Sequence, residues 1–437
     1  MINLSSFIAF HARRTPDRCA LKYRGQEISY AAFDQRIRMV SGWLASRGIA
    51  PDDVIAVLMK NSPAFLDIAF AASHIGVVFL PINFRLASDE VAYIVENSGA
   101  RVLIADEELG SNAAGPAPIV SVDEAAQSNA TRLAPDAKPA AAVRRLPSDL
   151  MRLMYTSGTT DRPKGVMLTY ENFYWKSADH VLALGLNRDT RLLVAGPLYH
   201  VGALDLPGIA VLWHGGMLSI HRNFEPEQAL AAIEMEKLTA AWFAPVMTTA
   251  ILTCPTRDRY DVSSLRWAIG GGEKTPEVRI RAFSDYFKNA RYIDAYGLTE
   301  TCGGDTFMEA GRDPVARIVA DFDLDMGNGA AGRSDFGDLE PGLHEGVAAA
   351  GFGQTVSVDV TGIGEILREG ANAGFRSFFA AADCCGSEKS ERAFSRIRSC
   401  FGVLSFESRS RSACAVRSTT TSGFTPPSLI GFRSGYV

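Results

Sequence analysis

The sequence predicts an α/β fold built from helix-covered, largely parallel sheets. Over the first 312 residues, short apolar runs alternate with amphipathic stretches, which is typical of strands joined by crossover helices. Hydrophobic residues make up 47% and charged residues 21% of the 437 residues, as in an ordinary globular enzyme. A chain of this length accommodates two or three domains with a large buried core.

Individual elements follow from the spacing of the apolar residues. The predicted strands are Val54–Leu58, Arg101–Ala105, Leu150–Thr156, Thr239–Ala244, Leu265–Ile269 and Arg291–Ala295. Helices are predicted over Ser62–His74, from about Ser88 onward, and beyond Lys164, where Phe173, Ser177, Val181 and Leu184 recur at helical spacing. Residues 111–143 are rich in Ala, Pro and small polar residues and predict a loop.

The most informative motif is Leu153–Val166, a glycine-bearing loop rich in hydroxyl side chains that ends in a lysine. Its loop residues are Thr156, Ser157, Gly158, Thr159 and Thr160. Hydroxyl and backbone N–H donors wrap phosphate oxygens, and the mobile ammonium of Lys164 neutralises their charge. The common P-loop is excluded because Gly165 follows the lysine where that motif needs Ser or Thr. We expect a polyphosphate site with a helix N-terminus just beyond it; the alternative is a Ser/Thr-rich turn without a ligand.

Three later segments carry further candidate residues: Pro197–His200, Gly270–Glu273 and Ala295–Thr301. In this order, and together with the loop, they resemble the adenylate-forming (AMP-binding) superfamily of acyl-CoA synthetases, firefly-type luciferases and peptide-synthetase adenylation domains. The last segment is similar to the family's Tyr-Gly-x-Thr-Glu motif. The resemblance covers residues from about 5 to about 312 and implies a large N-terminal adenylate-forming domain over residues 1–312.

The resemblance implies a role for each candidate residue. The residues implied for ATP or AMP are Thr156, Ser157, Gly158, Thr159, Thr160, Lys164, Gly270, Gly271, Gly272, Glu273, Tyr296, Gly297 and Thr299. The implied catalytic residues are Lys164, His200, Thr299 and Glu300, and the implied acyl-pocket residues are His200, Val201, Trp242 and Phe243. In this scheme Tyr296 lies against adenine, Thr299 bonds near the α-phosphate, and Glu300 helps to hold Mg²⁺.

Enzymes of this kind convert a carboxylic acid and ATP to an acyl-adenylate, from which coenzyme A displaces AMP. The resemblance therefore implies ATP, Mg²⁺ and coenzyme A, with a fatty or aromatic acid as substrate. Each residue also has a structural alternative. In the structural alternatives, Tyr296 and Trp242 pack in the core and His200 is a core histidine whose hydrogen bonds are satisfied. Glu300 is then a carboxylate that interacts favourably with the dipole at a helix N-terminus. Asp161 stands where the family most often has glycine, and it either repels the triphosphate or points outward.

The character of the sequence changes after Arg312. Residues 313–437 contain four of the seven cysteines but a single lysine, Lys389. They contain neither the family's Thr-Gly-Asp motif nor its late lysine motif. We therefore expect the family's small C-terminal α+β domain to be missing or scrambled, and residues 313–437 to be an aberrant, frameshifted or poorly folded tail. Two functional hypotheses follow: an impaired acid–CoA ligase, or a non-catalytic remnant that binds ATP or an acyl-adenylate.

Composition narrows the partners. The net charge of −5 gives no reason to expect nucleic acid or an anionic membrane. No apolar run approaches the ~18 residues of a membrane span, and Met1–Ile8 lacks the features of a signal peptide. Cys19, Cys254 and Cys302 show no metal-ligand spacing, so we expect reduced thiols and a cytoplasmic protein. The particular acid and the oligomeric state are left open.

Overall fold

Two mostly parallel sheets, one of six strands and one of eight, form the framework of the described part of the chain. The computed structural model describes residues 3–156, 162–273 and 275–309, which all belong to one unit, Met1–Ala331. The predicted α/β class is confirmed. Ser157, Gly158, Thr159, Thr160, Asp161 and the predicted tail lie outside the described residues.

The strands are numbered in chain order. The six-stranded sheet contains β3 (Val54–Leu58), β4 (Val78–Pro81), β5 (Val102–Asp106), β6 (Ile119–Val122), β7 (Leu150–Thr156) and β8 (Lys164–Thr169), in the order β6-β5-β3-β4-β7-β8. The eight-stranded sheet contains β1 (Cys19–Tyr23), β2 (Gln26–Ser29), β9 (Arg191–Val194), β10 (Met217–Ile220), β11 (Ala240–Trp242), β12 (Trp267–Gly271), β13 (Arg291–Leu298) and β14 (Gly303–Glu309), in the order β14-β13-β12-β11-β9-β10-β1-β2.

Helices connect and cover these strands. They are α1 (Leu4–Arg14), α2 (Tyr30–Ser46), α3 (Pro63–His74), α4 (Ser88–Asn97), α5 (Glu124–Ser128), α6 (Tyr170–Leu184), α7 (Val201–Ala203), α8 (Ile209–Trp213), α9 (Pro226–Glu236), α10 (Pro245–Leu252) and α11 (Glu277–Tyr286). Short 3₁₀ turns lie at Glu107–Leu109, Ala130–Leu133, Arg257–Arg259 and Thr299–Thr301, and a π-helical turn at Leu204–Gly208. Among the described residues, no helix combines the length and apolarity needed to cross a membrane.

Local sequence explains why the main helices begin where they do. The Ser62 hydroxyl accepts a hydrogen bond from the Phe65 N–H at 3.3 Å, and Pro63 occupies the first turn of α3, both favourable at a helix start. Thr169 and Asn172 form a reciprocal capping box at the start of α6, and Gly185 ends that helix in the left-handed conformation at φ 63°. All twelve residues of α3 are buried, as expected of a predominantly apolar helix, and its buried Asp67 pairs with Arg36.

Each of the two sheets has an antiparallel pair of strands at an edge. β7 pairs with β8, and β13 with β14, in antiparallel fashion, whereas the neighbouring central strands are parallel. Each sheet therefore ends in a hairpin. In open parallel sheets the ligand binds outside the carboxyl ends of the strands, and the tips of both hairpins lie at those ends of β7 and β13.

Three sequence predictions need correction. The helix start expected just beyond the loop is wrong, because Lys164–Thr169 forms strand β8 and the helix begins at Tyr170. Residues 111–143 are not merely a loop, since they contain β6, α5 and the 3₁₀ turn Ala130–Leu133, with Val122, Ala126 and Ala130 packed into the core. The strands predicted at 265–269 and 291–295 extend to Gly271 and Leu298, respectively. Pairing with neighbouring strands overrides the local signal in β6, β8, β12 and β13.

Candidate active site

The hairpin β7–β8 holds the first signature loop. Thr156 lies directly opposite Lys164 in the strand register, so both stand at the mouth of the connection formed by residues 157–163. Thr156 is half-buried and Lys164 is exposed. The Lys164 ammonium makes no hydrogen bond or ion pair with any described residue. A hydroxyl and a cation without a partner among the described residues thus stand opposite each other at the base of the loop.

Helix α4 fixes the stems of this hairpin. The Tyr155 hydroxyl donates to Asn97 Oδ1 at 2.6 Å, and the Tyr93 hydroxyl donates to the Pro163 carbonyl oxygen at 3.4 Å. The Arg162 guanidinium lies 5.2 Å from the centre of the Tyr93 ring, a cation–π distance. These contacts tie residues on both sides of the loop to one helix.

The hairpin β13–β14 carries the second signature at its tip. A Cβ on Gly297 would lie 1.8 Å from the Gly303 carbonyl oxygen, so only glycine fits this close crossing. The Thr301 hydroxyl accepts from the Leu298 N–H at 3.1 Å and donates to the Leu298 carbonyl at 3.0 Å. These bonds close the turn that presents Thr299 and Glu300.

The carboxylate of Glu300 is suited to a hard cation. Its side chain is exposed, and among the described residues it has no hydrogen-bond or ion-pair partner. That part of the chain also contains no group of three or more His, Cys, Asp or Glu residues able to hold a metal. A single carboxylate that shares the ion with ligand oxygens matches the coordination that Mg²⁺ prefers, because Mg²⁺ commonly binds one or two carboxylates plus phosphates.

Backbone packing accounts for most of the glycine run at the end of β12. A Cβ on Gly270 would lie 2.7 Å from the Phe243 carbonyl oxygen, and one on Gly271 would lie 2.2 Å from the Ala295 carbonyl oxygen. Gly272 adopts a φ of +92° with open space around it, so its backbone conformation requires glycine. Close strand packing and one turn therefore explain all three glycines, while a role in binding adenine stays a prediction.

Tyr296 and Glu273 lie beside this turn. β12 and β13 are parallel with Gly271 opposite Ala295, and continuing that register places Gly272 next to Tyr296. The Tyr296 side chain is 39% exposed, so it does not occupy the core position that was its structural alternative. Glu273 is exposed and forms an ion pair with Arg279 at 3.4 Å.

Two polar groups brace the connection between β12 and β13. The Thr275 hydroxyl donates to Asp294 Oδ1 at 3.1 Å and lies 3.2 Å from the Tyr292 hydroxyl oxygen. Burial raises the pKa of Asp294, and the hydrogen bond from Thr275 opposes that rise. This bracing orients the backbone on which Gly272 and Tyr296 lie.

Sequence reasoning missed Asn61, which links the carboxyl ends of both sheets. Its Nδ2 donates to the Gly196 carbonyl at 2.7 Å and to the His221 carbonyl at 3.0 Å. Its Oδ1 accepts from the Leu198 N–H at 2.8 Å. Asn61 follows β3 of the six-stranded sheet, whereas its three partners follow β9 and β10 of the other. The only local signal was a polar residue directly after a strongly apolar strand.

The segment after β9 places His200 and Trp242 near one another. His200 is exposed, and its Nδ1 accepts from the Gly202 N–H at 3.1 Å. The residue as a whole is exposed, but partial desolvation of its ring lowers the pKa of His200, and the accepting Nδ1 is the unprotonated ring nitrogen. The Trp242 indole fills the space between two glycines: a Cβ would lie 2.3 Å from the ring at Gly196 and 2.4 Å from it at Gly202.

The structure therefore gathers several predicted residues. Cα atoms of β8 come within 8 Å of the turn Thr299–Thr301, so the strand that begins at Lys164 adjoins the turn that carries Glu300. Val201 is buried beside His200 in α7, and α7 also lies close to β14. Phe243 has no exposed surface, which favours its structural alternative as a core residue.

Comparison with known proteins identifies the family of the chain. The family model described as AMP-binding enzyme matches residues 8–325. A feruloyl-CoA synthase of Amycolatopsis sp. is 34% identical over 306 residues, which are 69% of this chain and 60% of that protein. An indoleacetate–CoA ligase of Aromatoleum aromaticum is 28% identical over 343 residues, 76% of this chain and 65% of that protein.

Solved structures show the same likeness. The inhibitor-bound N-terminal domain of FACL13 from Mycobacterium tuberculosis is similar with a TM-score of 0.65 and 27% identity, over 71% of this chain and 79% of that one. A benzoate CoA ligase from Burkholderia xenovorans LB400 shares the fold, with a TM-score of 0.65. The chain spans 60% and 65% of the length of the two curated relatives. Because the family model covers well over half of its residues, the chain belongs to the AMP-binding, adenylate-forming enzymes.

Proposed function

We propose that this protein activates a carboxylic acid with ATP, forming an acyl-adenylate that coenzyme A then converts to an acyl-CoA. The observation that carries the proposal is the proximity of the two hairpins, which sets the strand of Lys164 beside the turn of Thr299 and Glu300. A carboxylate attacking an α-phosphate brings two anions together, so catalysis depends on positioned cations and hydrogen-bond donors.

The phosphates lie between the hairpins in this proposal. Thr156 and Lys164 stand opposite each other at the loop mouth, where the hydroxyl donates to phosphate oxygens and the ammonium offsets their charge. Thr299 donates near the α-phosphate. Glu300 would hold Mg²⁺, which neutralises phosphate charge when it is bound.

The adenine lies against Tyr296 in this proposal. An exposed aromatic ring beside the side-chain-free Gly272 offers a flat base both stacking surface and access to the backbone. Glu273 lies on the same connection, and its ion pair with Arg279 keeps it from repelling the nucleotide.

For the acid we propose a flat, aromatic substrate beside His200. The Trp242 indole occupies the space between Gly196 and Gly202, and in this proposal it forms a wall of the acid pocket that limits the length of the acid. The names of the relatives feruloyl-CoA synthase and indoleacetate–CoA ligase are consistent with aromatic acids. A long-chain-fatty-acid–CoA ligase of Mycobacterium tuberculosis is 30% identical, so fatty acids are the alternative substrate class.

A binding-only protein is the second candidate function, with residues 1–312 as the adenylate-forming domain. It is favoured by the sequence of residues 313–437, where neither a Thr-Gly-Asp motif nor a lysine motif of the family occurs. We propose that this segment is aberrant and that turnover is slowed as a result.

Pyrophosphate release tests the proposal. The full chain is supplied with ATP, Mg²⁺ and a panel of aromatic and fatty acids, with and without coenzyme A. Acid-dependent release, greatest with aromatic acids, is the expected result, and thioester formation with coenzyme A would extend it to the second half-reaction. ATP binding without release for any acid would select the binding-only alternative. Absence of both binding and release would refute both functions.

A further inference from the structure

A buried ion pair joins the stem of the first hairpin to the segment that carries His200. Arg152 lies on β7, four residues before Thr156, and Asp205 lies in the π-helical turn Leu204–Gly208. Arg152 Nη1 donates to both carboxylate oxygens of Asp205, at 2.7 and 2.6 Å. Each side chain is only 2% exposed.

Stability alone does not explain this pair. Removing two charges from water costs several kcal/mol per ion, and an apolar pair of similar volume is often as stable or more stable. Arg152 Nε also finds no hydrogen-bond partner among the described residues, so the desolvation is incompletely offset. The best-attested role of such pairs is to fix the register of the elements that they join.

Aromatic rings hold the arginine in one orientation. The Arg152 guanidinium lies 4.5 Å from the centre of the Phe173 ring and 5.7 Å from that of Phe79. Phe173 belongs to α6 and Phe79 to β4. The planar guanidinium is therefore held by cation–π contacts as well as by the carboxylate, which leaves the pair a single geometry.

Helix α6 extends the contact to the second hairpin. His180 is fully buried, and backbone groups of Asp205 and Gly304 lie near its ring. Its ring centre is 5.6 Å from that of Phe307, and the Lys176 ammonium donates to the Gly304 carbonyl at 3.0 Å. Gly304 is in β14, the strand that leaves the turn Thr299–Thr301.

We propose that Arg152 and Asp205 are positioning residues whose ion pair sets the loop of the first hairpin against the His200 segment and, through α6, against the second hairpin. Neither residue touches the reacting atoms. The pair fixes the distance between phosphate and acid, and the catalytic part of this role rests on the proposed function.

A matched ion pair elsewhere in the chain provides the control. Arg36 and Asp67 form a buried pair at 3.0 Å, with 10% and 0% exposed side chains, between α2 and α3. This pair joins two helices, bonds also to the Ser128 carbonyl and the Ala130 N–H, and forms no hydrogen bond or ion pair with a described residue of either hairpin. It therefore separates the general effect of removing a buried pair from the effect of removing this one.

The test replaces each pair with apolar residues in the full chain, as Arg152→Met/Asp205→Leu and, for the control, Arg36→Met/Asp67→Leu. Apolar replacement of both partners avoids leaving one buried charge alone. Backbone hydrogen exchange is followed in residues 150–156, 164–169 and 201–212. With Arg152→Met/Asp205→Leu we expect exchange to accelerate on the order of tenfold in all three stretches. With the control variant we expect those stretches to exchange as in the wild type.

The rate of the reaction distinguishes a positioning role from a purely structural one, because a purely structural role would leave kcat of the folded protein unchanged. The first double variant is expected to lower kcat for acid-dependent pyrophosphate release by about a hundredfold, because a displacement near 1 Å has that order of effect, with a smaller change in the KM for ATP. Unchanged hydrogen exchange in the hairpin stretches would overturn the proposal. A wild-type chain without acid-dependent release would defeat the proposed function alone, since hydrogen exchange would still decide the positioning role.

Discussion

The two hairpins reach the same end of the molecule by different means. The connection of β7–β8 spans residues 157–163, and side-chain contacts to α4 hold its stems. The tip of β13–β14 spans only residues 299–302, and contacts within the hairpin close it. These are the close approach of Gly297 to Gly303 and the hydrogen bond from the Thr301 hydroxyl to the Leu298 carbonyl. The first hairpin presents a cation, Lys164, at the base of a longer connection. The second presents a carboxylate on a tightly closed turn, where small changes of shape are costly.

Removal of the cation is expected to have the largest effect. Lys164→Met deletes the ammonium that faces Thr156, and loss of one electrostatic contact to a transferring group costs about 10²- to 10³-fold in rate. Acid-dependent pyrophosphate release should fall by that order while the melting temperature stays constant, because the side chain is exposed. Lys288→Met removes an exposed lysine that precedes β13, at the opposite end of that strand from its tip, and should leave the rate within about twofold. A similar rate for both variants would remove Lys164 from the site.

The second hairpin is best probed through its shape. Gly297→Ala would place a Cβ 1.8 Å from the Gly303 carbonyl oxygen, so the crossing strands must separate. We expect a loss of stability of about 1–3 kcal/mol, as for other overpacked sites, together with a fall in activity. Gly25→Ala is the matched control for a glycine without neighbours within 4 Å, and its cost should come from the positive φ alone. Urea unfolding of both variants measures the difference, and equal losses would contradict the close crossing.

The sequence predicts some strands of the two hairpins and their sheets well and others poorly. Val54–Leu58 and Leu150–Thr156 were predicted with the bounds that the structure has. Val54–Leu58 is continuously apolar, as is typical of a central parallel strand, and the apolar run of Leu150–Thr156 is interrupted by Arg152. β8 was missed because it is an edge strand whose first two residues are exposed, so its apolar pattern is weak. Motif order located both signatures but not their place at hairpin tips, which depends on pairing with β7 and β13.

The supporting residues were harder to foresee for a physical reason. Asn61 bonds with Gly196 and Leu198, 135 and 137 positions away, and Arg152 bonds with Asp205, 53 positions away. A polar residue in an apolar run signals that a partner exists, since an isolated buried polar group is costly. It does not say which residue the partner is.

Substrate choice offers a finer distinction at the end of β9. Trp242→Phe removes indole volume between Gly196 and Gly202, and the space should admit longer or bulkier acids. We expect the ratio of kcat/KM for a longer acid over a short aromatic acid to rise about 10- to 100-fold, the range for pocket-size discrimination. Trp267→Phe is the control, since Trp267 is buried to the same degree (6% against 7% exposed) but lies at the other end of the strand pair β11–β12. An equal shift in both variants would indicate loosening of the core rather than a pocket wall.

The smallest expected effect concerns His180, between α6 and the second hairpin. Burial lowers the pKa of His180 to about 3, so its ring is neutral in the folded protein, whereas in the unfolded chain it takes up a proton below about pH 6.5. The free energy of unfolding should therefore fall as pH drops from 6.5 toward 3. One pH unit below 6.5 this residue costs about 1.4 kcal/mol. His180→Leu should remove that part of the acid sensitivity, measured as the slope of unfolding free energy against pH. His200→Gln, at an exposed ring, should change the slope less, and equal slopes for His180→Leu and the wild type would show that acid loosens the junction of α6 and β14 through other groups.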